Sequence, residues 1–84
     1  MYRIIVDPAV DEQLDALPYD ALLAYVEVLN TIEVAPWNGP PQHAANPGGA
    51  VRRWPFGSGQ AGQVVYLVLE IQREVHVLMV QWFG

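Results

Sequence analysis

The chain has no cysteine and no lysine, a single serine and two histidines. Without cysteine, thiolate catalysis, disulfide bridges and cysteine-ligated zinc are excluded. Four arginines face nine Asp and Glu residues, giving a net charge of −5. That balance lacks the basic stripe with which nucleic-acid binders neutralise phosphates, so broad nucleic-acid binding is disfavoured and only a local arginine-lined site is left open. No apolar run approaches the roughly 20 residues of a membrane helix, and the start lacks the basic-then-apolar pattern of a signal peptide. A cytoplasmic protein with no membrane contact is the expectation. Ser58 lies in a glycine loop without an evident base, so no Ser-His-Asp set is legible. Neither His43 nor His76 has a second ligand at metal spacing, so no metal and no cofactor are expected. Gly57-Ser58-Gly59-Gln60-Ala61-Gly62 matches G-x-G-x-x-G by letter, but the dinucleotide motif requires a following helix and here a strand pattern follows.

What is present is a compact apolar message. Of 84 residues, 52% are hydrophobic and 15% charged, which suits one folded domain, residues 1–84, with a small core. Residues 2–6 are β-branched and alternate, predicting a first strand. Asp7-Pro8 reads as N-cap and first helical residue, opening a helix of about ten residues with Val10, Leu14 and Leu17 on one side. Pro18 closes that helix and opens the next, from Tyr19 to about Val34, with Leu22, Val26, Leu29 and Ile32 as its apolar stripe. Glu27 and Glu33 fall outside that stripe on a solvated face. Residues 36–50 form a Pro- and Gly-rich loop. Residues 51–56 form a strand whose Pro55 demands an edge or a strand end. A second loop, Gly57 to Gly62, leads into a terminal hairpin. The order is β-αα-βββ, an α+β domain with two N-terminal helices packed on a mostly antiparallel sheet.

The hairpin is apolar on both sides. Val65, Leu67 and Leu69 alternate with Val64, Tyr66 and Val68, and the last strand behaves likewise. An antiparallel strand with one wet face shows a polar residue at every second position. The second face therefore calls for a cover, either the chain's own loops or a partner; a homodimer through this face satisfies the requirement equally well.

Arg52-Arg53 is the one local positive site. Alternation places the two side chains on opposite faces, where either one grips a phosphate or carboxylate, or is a solvated or carboxylate-paired strand residue. Tyr66 reads as a core tyrosine with its hydroxyl at the rim. Trp37, Trp54, Trp82 and Phe83 either pack or stack bases. His43 has a ring suited to general-base work, whereas His76 reads as a half-buried strand residue.

The β-αα-βββ order, with Asp7-Pro8 opening the first helix, resembles the RelE/ParE superfamily of type II toxins, and the resemblance covers nearly the whole chain. Its anchors are the strand leading to Gly57, then Gln63-Val64-Val65-Tyr66, then Val80-Gln81-Trp82-Phe83. In the family these resemble an arginine-bearing strand ending in Gly, a strand reading Tyr-Arg-x-x-Tyr, and a terminal Val-Gly-His/Lys-Arg. The tail from Arg73 to Trp82 also resembles actinobacterial sequences. By this resemblance Arg53 matches a basic position and Tyr66 the strand tyrosine, while Gln63 stands where the strand arginine would be. Trp82-Phe83 replaces the terminal basic pair, with Gln63 expected opposite Phe83 or Trp82, and no further C-terminal groups are expected.

The resemblance implies Arg53, Tyr66 and Gln63 as catalytic positions; with the residue-level reading, Arg52, Trp82 and His43 are expected to touch substrate. It implies an antitoxin partner, and as target either the ribosome with its messenger RNA or, in ParE-like members, DNA gyrase. RelE-type cleavage needs a base, an acid and cations for the developing charge, and the basic positions at Gln63, Trp82 and Phe83 are missing. A non-enzymatic binding module or inactivated toxin stands as the alternative.

Overall fold

The computed structural model describes residues 1–84. Its elements are β1 (Arg3–Val6), α1 (Val10–Asp15), α2 (Tyr19–Val34), β2 (Val51–Phe56), β3 (Gly62–Leu69) and β4 (Glu74–Trp82), with short 3-10 turns at Pro36–Asn38 and Ser58–Gln60. The four strands form one sheet in the order β1-β4-β3-β2, antiparallel except for the parallel β1–β4 pair. The α+β order expected from the sequence is the one the chain adopts.

Local chemistry sets the boundaries. The Asp7 carboxylate accepts the Ala9 N–H at 2.9 Å, and the Asp7 carbonyl accepts the Val10 N–H. This turn consumes the residues expected to begin the helix, so α1 has six residues and starts at Val10. Pro18 disfavours helical geometry in the residue before it, which closes α1 and separates it from α2. Pro55 lies on β2, which is a sheet edge, as its missing N–H requires.

The buried side of α2 is centred elsewhere than the apolar stripe predicted. Ala21, Tyr25 and Ile32 are buried, with Tyr25 meeting Phe56 edge-on at 6.0 Å, while Val26 is 49% exposed. The Tyr25 ring outweighs the smaller Val26 in setting the helix's rotation, because an aromatic ring buries more apolar area. Around Tyr25 the core gathers Tyr2, Val10, Val64, Tyr66, Val68, Val75, Val77 and Val80.

A β-bulge decides which side of the sheet each hairpin residue faces. Val65 pairs with Met79 and Tyr66 with Val77, leaving Leu78 without a partner. The extra residue inverts the alternation of β4. Val75 and Val77 before it, and Val80 and Trp82 after it, all face the helices. Beyond the end of β1, the Gln13 side chain of α1 accepts the Val80 N–H at 2.6 Å, satisfying a donor that no strand meets.

The other side of the sheet has no helix over it. Ladder partners place Arg3, Ile5, Val51, Arg53, Pro55, Gln63, Val65, Leu67, Leu69, Glu74, His76, Met79 and Gln81 there. The free edge of β2 is covered by the loop: Gln42 donates to the Val51 carbonyl and Arg53 to that of Pro40, with a bridge between Pro41 and Arg52.

At the hairpin turn, Glu70 ties three segments together. It accepts from the Tyr2 hydroxyl at 2.5 Å, from Trp37 Nε1 at 2.7 Å and from Arg73 at 2.6 Å. The Arg73 guanidinium also lies over the Tyr2 ring at 4.1 Å. These bonds, that from Tyr2 foremost, hold the Glu70 carboxyl at about 2, down from 4.5. A carboxyl whose value is depressed on folding stabilises the fold above its unfolded value, and that contribution is lost as pH falls through the folded value. Thermal stability should therefore drop between pH 4.5 and about 2, and Glu70→Gln should flatten this part of the profile. Melting curves across that range test it; an unchanged acid limb in the variant would remove Glu70 from this role.

Candidate functional site

Register parity divides the sequence-derived site residues between the two faces of the sheet. Arg53 and Gln63 lie on the open side, while Arg52, Tyr66 and Trp82 face the helices. Alternation had already set Arg52 apart from Arg53, but Gln63, Tyr66 and Trp82 were all expected near Arg53; of these the structure leaves only Gln63 on its face.

Arg52 is 8% exposed and fully engaged. Its Nε donates to the Gly49 carbonyl, one terminal nitrogen to that of Gly39 and the other to that of Pro47, at 2.9, 3.2 and 2.8 Å. The guanidinium also lies over the Trp37 ring, 4.9 Å from its centroid. Substrate contact expected of Arg52 is thus replaced by loop anchoring, since each of its three nitrogens already serves a carbonyl of the 36–50 loop.

Tyr66, the ladder partner of Arg52, is fully buried and donates to the Pro36 carbonyl at 2.6 Å. Burial pushes its hydroxyl up to about 12, against the opposing pull of Arg52. A buried, protonated, already bonded hydroxyl has no path to a reacting atom, so the catalytic position expected of Tyr66 becomes a structural one. Gly39 passes so close that a Cβ there would lie 2.2 Å from the Tyr66 oxygen and 2.7 Å from the Arg53 carbonyl.

Trp82 pairs with Gly62, and its ring tilts against Phe56 at 6.2 Å. Gly62 has no side chain because a Cβ would meet the Phe56 ring at 2.4 Å. Trp82 is thereby a wall of the core, where substrate contact had been expected. The pairing inferred for Gln63 also differs: the turn sets Leu69 opposite Glu74, and with the one-residue shift of the bulge the partner of Gln63 is Gln81, neither Trp82 nor Phe83.

The open face carries a smaller set. Gln63 Nε2 donates to Gln81 Oε1 at 2.9 Å. Arg53, whose ladder partner is Val65, lies diagonally across from Gln63, a spacing of about 7–8 Å in such a sheet. Arg53 is exposed and its guanidinium has no hydrogen-bond or ion-pair partner. Every other arginine is engaged: Arg3 with Glu74, Arg52 with carbonyls, Arg73 with Glu70. Arg53 is the one arginine of the fold whose guanidinium is free. On the same strand and face, Val51 forms part of a small cavity of about 90 Å³ with His43, Asn46, Gly49 and Ala50. Val51 is two residues, about 6.7 Å, from Arg53 along the strand, and the loop that carries His43 meets Arg53 through the Pro40 carbonyl, which accepts the Arg53 N–H.

A second polar group lies at the far end of this face. Glu74 bonds to His76 at 3.0 Å and pairs with Arg3 across the strands. The His76 bond and then that of Arg3 hold the Glu74 carboxyl below its usual value. Sequence reasoning passed over this cluster. Strand alternation puts Glu74 and His76 on one face, which is the signal that reveals it. No group of acidic, histidine or cysteine side chains is arranged to hold a metal, and no helix is long and apolar enough to cross a membrane.

The two neighbouring arginines should respond oppositely to truncation. Arg52→Ala removes the buried guanidinium and the donors to three loop carbonyls, one of them fully buried, and should destabilise the fold by about 3 kcal/mol. Arg53→Ala should leave stability within about 0.5 kcal/mol. Urea unfolding of both variants distinguishes them, and comparable losses would mean that Arg53 is also structural.

No family model matches the chain, and no curated protein matches it in sequence. Solved structures do. The isolated RelE toxin of E. coli is 13% identical with a TM-score of 0.78, over 100% of this chain and 86% of that one. A free-state mutant of the same toxin, with two arginines changed to alanine, gives 14% and 0.77 over 96% and 82%. The archaeal RelE–RelB complex from Pyrococcus horikoshii OT3 gives 18% and 0.66 over 99% and 96%. With its two helices on one side of a four-stranded mixed sheet, this chain has the RelE fold.

Proposed function

We propose that the chain is the toxin of a type II toxin–antitoxin module, acting on messenger RNA at the ribosome through its open sheet face. The observation that carries this reading is Arg53, a free guanidinium on the uncovered side of a RelE fold. In cleavage of this kind the ribose 2′-oxygen loses its proton to a base and attacks the adjacent phosphorus. The bond to the 5′-oxygen breaks, and that oxygen takes up a proton from an acid. Arg53 would grip the phosphate through two parallel N–H bonds and stabilise the charge that develops on it. His43, on the loop whose Pro40 carbonyl accepts the Arg53 N–H, carries the imidazole that would act as base or acid. The Gln63–Gln81 pair supplies amide donors and acceptors for bases or ribose. Arg52 and Tyr66 serve by fixing the loop that carries His43, and Trp82 by holding the hairpin end.

The same geometry supports a second reading, because one free arginine is sparse for phosphate chemistry. A RelE fold without cleavage activity, acting as a binding module, needs only the apolar face. The solved complex of the archaeal relative with RelB supports an antitoxin as the partner in either case.

Inducing the chain alone in bacteria should arrest growth, and co-expression of the neighbouring gene should relieve the arrest. Cleaved messenger RNA should accumulate, and Arg53→Ala should lower cleavage on isolated ribosomes by about 10²–10³-fold. Arrest with intact messenger RNA and altered DNA supercoiling would redirect the target to gyrase. Normal growth with soluble protein present would favour the binding module.

A further inference from the structure

The outward side of α2 does not match a helix face meant for water. Tyr19, Leu23, Val26 and Val34 are 76%, 49%, 49% and 66% exposed. At 100° per residue they fall on one side of the helix, opposite the buried Ala21, Tyr25 and Ile32. The ridge is bordered by carboxylates, Asp20 and Glu27 along one edge and Glu33 along the other. No arginine occurs anywhere from Asp7 to Val34, a segment that carries seven of the chain's nine carboxylates. A surface that is only solvated does not need four large apolar side chains in line, and one that receives nucleic acid or an anionic membrane does not surround them with acid.

We infer that this ridge docks a basic amphipathic helix of a partner protein, with apolar residues laid along Tyr19, Leu23, Val26 and Val34 and Arg or Lys over Asp20, Glu27 and Glu33. The span from Tyr19 to Val34 is about 22 Å, so a partner helix of about 15 residues covers it. Charge decides between this occupant and a second copy. Pairing two such helices would set Asp20 and Glu27 of one chain against the same acidic rim of the other, with no cation on the segment to offset them. A basic helix meets the same rim with attraction. The inference rests on the toxin reading only in one respect: within such a module, this partner segment belongs to the antitoxin. Docking is read by binding alone, without growth or RNA cleavage, so the two readings fail separately.

The test titrates the full ¹⁵N-labelled chain with a synthetic 16-residue amphipathic helix of leucine and lysine, followed by NMR. One control peptide replaces every lysine with glutamate, and another has the first peptide's composition in an order without an apolar stripe. Saturable shifts should centre on Tyr19, Leu23, Val26 and Val34 with the basic amphipathic peptide, and neither control should reproduce them. Leu23→Ser with Val26→Ser should weaken binding by about tenfold or more. Asp20→Lys with Glu27→Lys should weaken it by several-fold and abolish most of its salt dependence. Both pairs are exposed, and amide spectra of the variants confirm that the fold is kept. Shifts centred on the open sheet face, equal binding of the stripe-free peptide, or affinity indifferent to the leucine and valine changes would overturn the proposal. Self-association of the chain that vanishes in Leu23→Ser would also overturn it, by giving the ridge to a second copy.

Discussion

The buried guanidinium of Arg52 is the constraint on which the rest of the molecule depends. A charge taken out of water is tolerated only when its donors are met, and here no carboxylate meets them. Three carbonyl oxygens, of Gly39, Pro47 and Gly49, do so, drawn from a loop with no regular structure of its own beyond a short 3-10 turn. The loop is thereby fixed by the strand, and Tyr66 fixes its beginning through the Pro36 carbonyl. Trp37, held between the Arg52 guanidinium and Glu70, then carries the same constraint to the hairpin turn and the first strand. A fold this small has little core to spare, and polar anchors of this kind do part of the ordering that a larger core would do.

Fixing Arg52 inward has an outward consequence, because neighbouring strand residues face opposite sides. Arg53 has to project from the open face, and its backbone N–H bonds to the Pro40 carbonyl of the same loop. The bulge at Leu78 performs the complementary task on the other side of the hairpin. It keeps Val75, Val77, Val80 and Trp82 all on the helix side across nine residues of β4. The cost of that arrangement is that Leu78 and Met79 are left about two-fifths exposed, at 39% and 40%. The open face is consequently both apolar and uncovered, with its polar groups confined to the two ends.

Much of the fold could be read from residue order alone. β2 and α2 have the boundaries that their patterns predict, since Pro18, Pro36 and Gly57 punctuate them sharply. The first helix was misjudged because Asp7 closes a turn before the helix begins. The rotation of α2 was misjudged because a periodic count weights Val26 and Tyr25 by class, not by the area each ring or side chain buries. The candidate site was legible as a list of residues but not as a place. Alternation correctly separated Arg52 from Arg53, yet which of the two turns inward depends on carbonyls up to 13 residues away in sequence. The bulge could not be foreseen, because a strand apolar on both sides offers no break in pattern to mark an inserted residue.

The acidic composition looked like an argument against any polyanion as target, and the structure changes the terms of that argument. Charge in this chain is segregated. The helical segment from Asp7 to Val34 holds seven carboxylates and no arginine, whereas the rest holds four arginines against two glutamates. Arg3 and Arg73 are each matched by a glutamate, so the surplus positive charge rests on Arg52 and Arg53. Net charge governs solubility and encounter, but an approaching phosphate responds to the local field, and over a Debye length of about 8 Å it is most sensitive to the nearest groups. Around Arg53 on the open face those groups are uncharged amides, with Glu74 at the far end paired to Arg3 and the acidic helices on the far side of the sheet. The helices repel a polyanion from the wrong side, and the neighbouring arginines favour its approach to the side that is uncovered.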